Sequence, residues 1–374
     1  MCTRGGGREI HAGGVPCKEY DRASLLPNVI LLLIPYLGAQ ELRAIRATAF
    51  FFRDTVDGYI APLAGRRRGA LESACPAGAP DIFLYTIQKT KRLSMRVLVS
   101  PDAWNALRIL NLSGSQLTAL PESIGRLSSL QMLDLSFNQL TMLPESIGQL
   151  TALQTLVLYS NRLIALPESI GRLASLQTLY LDFNRLTTLP ESIGHLTALQ
   201  TLYLNSNQLI AIPESTGRLV SLQKLYLSFN QLTTIPESIG HLTALQALYL
   251  DLNQLIAIPK SIGRLASLQE LYLGSNQLTA IPESIGHLIA LKKLFLGVNQ
   301  LTALPESIGH LTALQMLYLC DNRLTALPRL FHQLHELQIL YLDDGPIGVH
   351  GHIDMFRRLG VEERVHDLSA SPSA

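Results

Sequence analysis

The sequence predicts an α/β solenoid: a parallel sheet lines a concave side, short helices or 3-10 turns run along a convex side, and a small helical domain precedes the array. Three observations carry that expectation. From Leu107 onward a leucine returns every 23 residues, at Leu107, Leu130, Leu153, Leu176, Leu199, Leu222, Leu245, Leu268, Leu291, Leu314 and Leu337, which makes eleven copies of one unit. Within a unit, apolar and polar residues first alternate, which is the period of a strand, and then give way to a Pro-Glu-Ser-Ile-Gly segment that suits a short turn of helix. Residues 24–60 follow neither pattern and read as two short helices.

Each part of the unit has a physical reason. In the copy LQMLDLSFNQLTMLPESIGQLTA, residues 130–152, Leu133 and Leu135 alternate with polar neighbours. Leu130, Leu140, Leu143, Ile147 and Leu150 complete one inward-facing set. A single unit is too short to bury that set, so neighbours must stack on it, with their strands in one parallel sheet. Asn138, Asn161, Asn184, Asn207, Asn230, Asn253, Asn276, Asn299 and Asn322 share one position. An amide supplies donors and an acceptor to backbone groups where the chain leaves the strand, so these asparagines read as structural. Pro121 sets φ for the first turn of the short helix, and Gly125 can end it. Glu122 and Arg126 are four apart, a spacing that permits a weak surface ion pair. The end copies degrade as capping copies do, with Ser115 and Gly345 in place of the asparagine.

This unit resembles the leucine-rich repeat, motif LxxLxLxxNxL, in a 23-residue form with LPxxIxxL, over residues 107–347. The resemblance implies a leucine-rich-repeat solenoid that binds a protein on its concave face and is not an enzyme. It also implies that the asparagines bond from one repeat to the next. The LPxSIGxL form is similar to that of intracellular Ras-associated leucine-rich-repeat proteins, which implies a signalling scaffold.

The amino-terminal residues carry a second resemblance. Leu26, Pro27, Leu31, Ile34, Leu37, Leu42, Phe52 and Arg53 resemble the F-box, which docks on the adaptor of a cullin ubiquitin ligase. That resemblance implies the substrate-recognition subunit of such a ligase. Pro35 departs from it, standing where the motif has a large apolar residue, and a proline inside a helix costs about 3 kcal/mol. The other reading is a small helical domain that shields the leading edge of the array. The expected divisions are residues 1–21 loose, 22–60 helical, 61–80 a linker, 81–106 an amino-terminal cap with Trp104 over the first leucines, 107–347 the repeats, 348–368 a closing cap and 369–374 a tail.

Composition narrows the function. Thirty basic residues against 29 acidic give a net charge of +1, without the basic excess of a nucleic-acid binder. Cys2, Cys17, Cys75 and Cys320 form no CxxC pair and do not bracket the repeats, which favours a reducing, cytoplasmic setting. Residues 1–14 hold no apolar run of the signal-peptide kind, and the most apolar stretch, residues 29–37, falls short of the roughly 20 residues of a membrane span. No P-loop, GxSxG, HExxH or dinucleotide fingerprint is present, so neither catalysis nor a cofactor is expected. His195, His241, His287 and His310 lie on the convex side without the partners of a metal site.

The candidate binding site is the position between the two strand leucines. It reads Asn111, Asp134 and Val157, then Tyr180, Tyr203, Tyr226, Tyr249, Tyr272, Phe295, Tyr318 and Tyr341. Stacked strands would make these rings an exposed aromatic ladder, and such residues are enriched in interface cores. Two positions on lie Asp182, Asn205, Ser228 and Asp251, with Asp321, Asp343 and Asp344 near the end. Phe137, Phe183 and Phe229 recur every 46 residues and read as a second spine between turns. Residues 176–221 match 222–267 at 36 of 46 positions, so two-repeat duplication offers another origin for the ladder: copied rings that only hold the sheet.

Overall fold

The computed structural model describes residues 107–342. Eleven three-residue strands form one parallel sheet in sequence order. They are β1 (Ile109–Asn111), β2 (Met132–Asp134), β3 (Thr155–Val157), β4 (Thr178–Tyr180), β5 (Thr201–Tyr203) and β6 (Lys224–Tyr226). The sheet continues through β7 (Ala247–Tyr249), β8 (Glu270–Tyr272), β9 (Lys293–Phe295), β10 (Met316–Tyr318) and β11 (Ile339–Tyr341). Every strand pairs with the equivalent residues of the next repeat: Leu202 faces Leu225 and Tyr203 faces Tyr226. The constant register follows from the constant length of the unit, because an insertion in one repeat would shift every column beyond it.

The leucines set the core. Leu130, Leu133, Leu135, Leu140, Leu143, Ile147 and Leu150 are all 5% exposed or less. Strand alternation puts Leu133 inside and Met132 and Asp134 on the other face of the sheet. Each strand is flanked by a five-residue 3-10 segment such as Glu237–His241, which begins after Pro236 with Ile239 N–H donating to the Pro236 carbonyl at 3.1 Å.

The asparagines work as their chemistry predicts. Asn230 Oδ1 accepts from Leu209 N–H of the preceding repeat at 3.0 Å, while its Nδ2 donates to the carbonyls of Leu204 at 2.9 Å and Leu227 at 3.0 Å. The same three contacts recur from Asn138 to Asn322. The residue before each of these asparagines has a left-handed backbone: Phe137, Phe183, Phe229, Leu252 and Val298 among them, with φ from 54 to 58°. Side chains other than glycine and asparagine are strained there.

Three local expectations are corrected. Pro121 stands just outside the 3-10 segment, in an extended conformation with ψ 153°, where its fixed φ does not hinder the turn. Gly125 lies inside that segment and does not end it. The reason for glycine here is close stacking: a Cβ at the equivalent Gly240 would lie 2.6 Å from both the carbonyl oxygen and the Cβ of Ser261 in the next repeat. The glutamates do not pair along their own turn either. Glu122 Oε2 accepts from Ser146 N–H of the next repeat at 3.0 Å, and Glu237 accepts from Ser261 N–H at 3.0 Å. A carboxylate at the next segment's first amides is a cap delivered across the repeat boundary, and the contacts with Ser261 hold the Glu237 carboxyl below its usual range.

The F-box residues Leu26, Pro27, Leu31, Ile34, Leu37, Leu42 and Phe52, the linker, Trp104 and both expected caps lie outside the described residues. No helix among the described residues is long and apolar enough to cross a membrane.

Candidate functional site

The aromatic column forms one continuous rail. From Tyr180 to Tyr341 the rings stack nearly parallel on successive strands: 4.5 Å between Tyr180 and Tyr203, 4.5 Å to Tyr226, 4.6 Å to Tyr249 and 4.5 Å to Tyr272. Phe295 continues it at 4.3 Å, Tyr318 at 4.7 Å and Tyr341 at 3.8 Å. The spacing is that of neighbouring strands, so strand pairing itself brings the rings face to face.

The rail is not exposed as the sequence suggested. Six of the eight side chains are half-buried and none is fully exposed, while Tyr272 and Tyr341 are only 7% exposed. Stacking covers the faces of each ring and leaves only part of each half-buried side chain at the sheet surface. Burial pushes the hydroxyls of Tyr180, Tyr203, Tyr226 and Tyr249 above their ordinary range, so they stay neutral donors. Tyr249 also donates to Glu270 Oε2 at 2.5 Å. Glu270 is held in turn by Lys293, 3.1 Å away on the next strand.

The polar column beside the rail is a second ladder. Asp182 Oδ1 accepts from Asn205 N–H at 2.8 Å, and Asn205 Oδ1 accepts from Ser228 N–H at 2.9 Å. Ser228 Oγ donates to Asp251 Oδ2 at 3.4 Å, and Asp251 Oδ1 accepts from Gly274 N–H at 3.0 Å. Asp182, Asn205 and Asp251 satisfy amides of the following repeat and Ser228 the Asp251 carboxylate, which ties up much of their capacity to meet a partner. Desolvation raises both carboxyls to about 7. Asp321 is exposed in the loop after β10, and Asp343 and Asp344 lie outside the described residues.

The phenylalanine spine is shorter than its period implied. Tyr159, which the repeat pattern did not single out, stands edge-on between Phe137 at 5.2 Å and Phe183 at 5.3 Å. Phe229 is 55% exposed; Asn205 and Asp251 stand around it where Tyr159 stands beside Phe137 and Phe183. Among the described residues no group of three or more His, Cys, Asp or Glu side chains converges as a metal would need.

Comparison with known proteins agrees with this architecture. A family model described as a leucine-rich repeat region matches residues 102–184, 156–229 and 203–298, and a leucine rich repeat model matches residues 289–347. The chain belongs to the leucine-rich-repeat family. This leucine-rich-repeat chain matches no curated protein sequence. Among solved structures it is similar to a leucine-rich-repeat protein of Leptospira interrogans, with 32% identity over 73% of this chain and 92% of that one, at a TM-score of 0.41. It is also similar to a plant peptide hormone receptor, RGFR1, solved in complex with RGF2, with 30% identity over 64% of this chain and 48% of that one, at a TM-score of 0.47. A TDR receptor gives 27% identity over 64% of this chain and 49% of that one, at a TM-score of 0.54. The chain thus spans about half the length of each receptor chain. Leucine-rich repeats are protein-binding scaffolds, and that coarse function is what the family gives.

Proposed function

We propose that the sheet face binds a protein partner, with the aromatic rail at the centre of the interface. The observation that carries this reading is the run of eight stacked rings across β4 to β11, on the face of the sheet opposite the leucine core. Rings locked by their neighbours lose little conformational freedom when a partner covers them, which favours tight contact. Their edges are apolar and their hydroxyls polar, the mixed character that makes tyrosine a frequent hot spot. The cysteine usage favours a cytoplasmic setting. The amino-terminal resemblance supports a finer reading, in which residues 22–60 dock on the adaptor of a cullin ligase and the repeats hold the substrate. A signalling scaffold of the Ras-associated kind is the alternative, favoured by the LPxSIGxL form of the repeat.

Affinity capture with three full-length or truncated baits tests these readings together. Tyr203→Ala, Tyr226→Ala and Tyr249→Ala combined should weaken capture well beyond tenfold, since three hot spots at about 2 kcal/mol each together far exceed the roughly 1.4 kcal/mol of a tenfold change. Deletion of residues 1–60 should release cullin and its adaptor while the array stays folded by circular dichroism. Unchanged capture by the folded tyrosine variant removes the rail as the site. Recovery of cullin by the truncated chain removes the F-box reading.

A further inference from the structure

The two flanks of the rail differ in charge. On one flank, strand pairing aligns Lys224, Ala247, Glu270 and Lys293 in a single column across β6 to β9. Lys292 immediately precedes β9, and both Lys224 and Lys292 are exposed. Glu270 is the one carboxylate in that column, and it is taken up by Lys293 and the Tyr249 hydroxyl. Lys224 stands two strands from Glu270, roughly 10 Å at the usual strand spacing, and the ion pair that Glu270 makes is with Lys293 instead. Among the described residues no carboxylate pairs with Lys224 or Lys292. On the other flank the nearest carboxylates are withdrawn: Asp182 is only 5% exposed and bound to Asn205 N–H, and both Asp251 oxygens are engaged. Asp134 belongs to β2 and Asp321 follows β10, both beyond this stretch. The face therefore offers two unbalanced cations, Lys224 and Lys292, beside a half-buried aromatic surface, with donors on one side and few free acceptors on the other.

We propose that the partner presents an acidic, extended segment, seated across β6 to β9 between the aromatic rail and Lys224, Lys292 and Lys293. This rests on the sheet-face reading and specifies its chemistry. Carboxylates of the segment would meet the lysine ammonium groups, and its apolar atoms would lie on the ring edges of Tyr226, Tyr249, Tyr272 and Phe295. Opposite charges at such a rim steer association and select the partner.

Fluorescence anisotropy on the full chain tests the proposal with a labelled oligoglutamate peptide, a matched oligolysine peptide and single-stranded DNA. Oligoglutamate should bind, weaken with added salt, and lose about tenfold in affinity with Lys224→Glu and Lys292→Glu combined, a variant that leaves the Lys293–Glu270 pair intact. Oligolysine should not bind. The lysines lie outside the core, so the variant should keep its circular dichroism spectrum. Absent oligoglutamate binding, binding that ignores the charge reversal, equal binding of oligolysine, or DNA binding as strong as oligoglutamate would each overturn the proposal. If the acidic peptide fails while the tyrosine variant still loses its captured protein, the sheet-face reading stands and the acidic partner does not.

Discussion

At the scale of single residues, the repeats show how far a copied sequence tolerates exceptions. In the segment Glu214–Arg218 a threonine stands where the other SIG copies have isoleucine. Thr216 is 1% exposed, and its hydroxyl finds no partner. A buried hydroxyl without a hydrogen bond costs about 1–3 kcal/mol, and the methyl groups of isoleucine would fill a site built for them. Thr216→Ile should therefore raise the midpoint of chemical denaturation, with the gain on the order of 1 kcal/mol or more. An unchanged or lower midpoint would mean that the hydroxyl is satisfied. The asparagines were legible at this scale because an amide at a fixed turn position has few other uses. Gly240 and Glu237 were not. Their reasons lie in Ser261 of the next repeat, and a spacing rule within one turn suggests instead a helix stop and a local ion pair.

At the scale of elements, the polar ladder from Asp182 to Gly274 joins five strands and introduces a pH dependence. Both carboxyls are raised to about 7 in the folded chain, chiefly by desolvation, against about 3.9 in an unfolded one. The groups facing Asp182 are Tyr159, Tyr180, Tyr203 and Tyr226, all neutral below pH 10, so none offsets its charge. A group with a raised folded pKa contributes stability that is complete below about pH 4 and lost as pH rises to about 7. Asp182→Asn keeps the acceptor for Asn205 N–H and cannot ionise. It should raise the melting temperature at pH 8 and leave it nearly unchanged at pH 4. An equal shift at both values would show that the carboxyl is not protonated near neutrality. Sequence reading placed these residues in the right column beside the rail but gave no sign of the ladder they form, because alternation reveals which face a side chain takes but not that its neighbour's amide is waiting for it.

At the scale of the whole molecule, periodicity made the array legible almost residue by residue: the strand positions, the inward leucines and the aromatic column all follow from one unit repeated without insertions. Exposure did not follow. The rings form an unbroken column, as expected, but the same strand spacing that aligns them lets each cover the next. The use of the rail is open to direct test, since packing and binding ask for the same residues. A photo-crosslinking residue can separate the two without altering the rail. It would be placed in the full chain at Thr201, which flanks Tyr203 on the sheet face, and in parallel at Glu191 or Glu214 on the 3-10 segments. Sheet-face binding predicts a crosslinked partner from Thr201 and none from Glu191 or Glu214. Crosslinks from the 3-10 positions alone would contradict it.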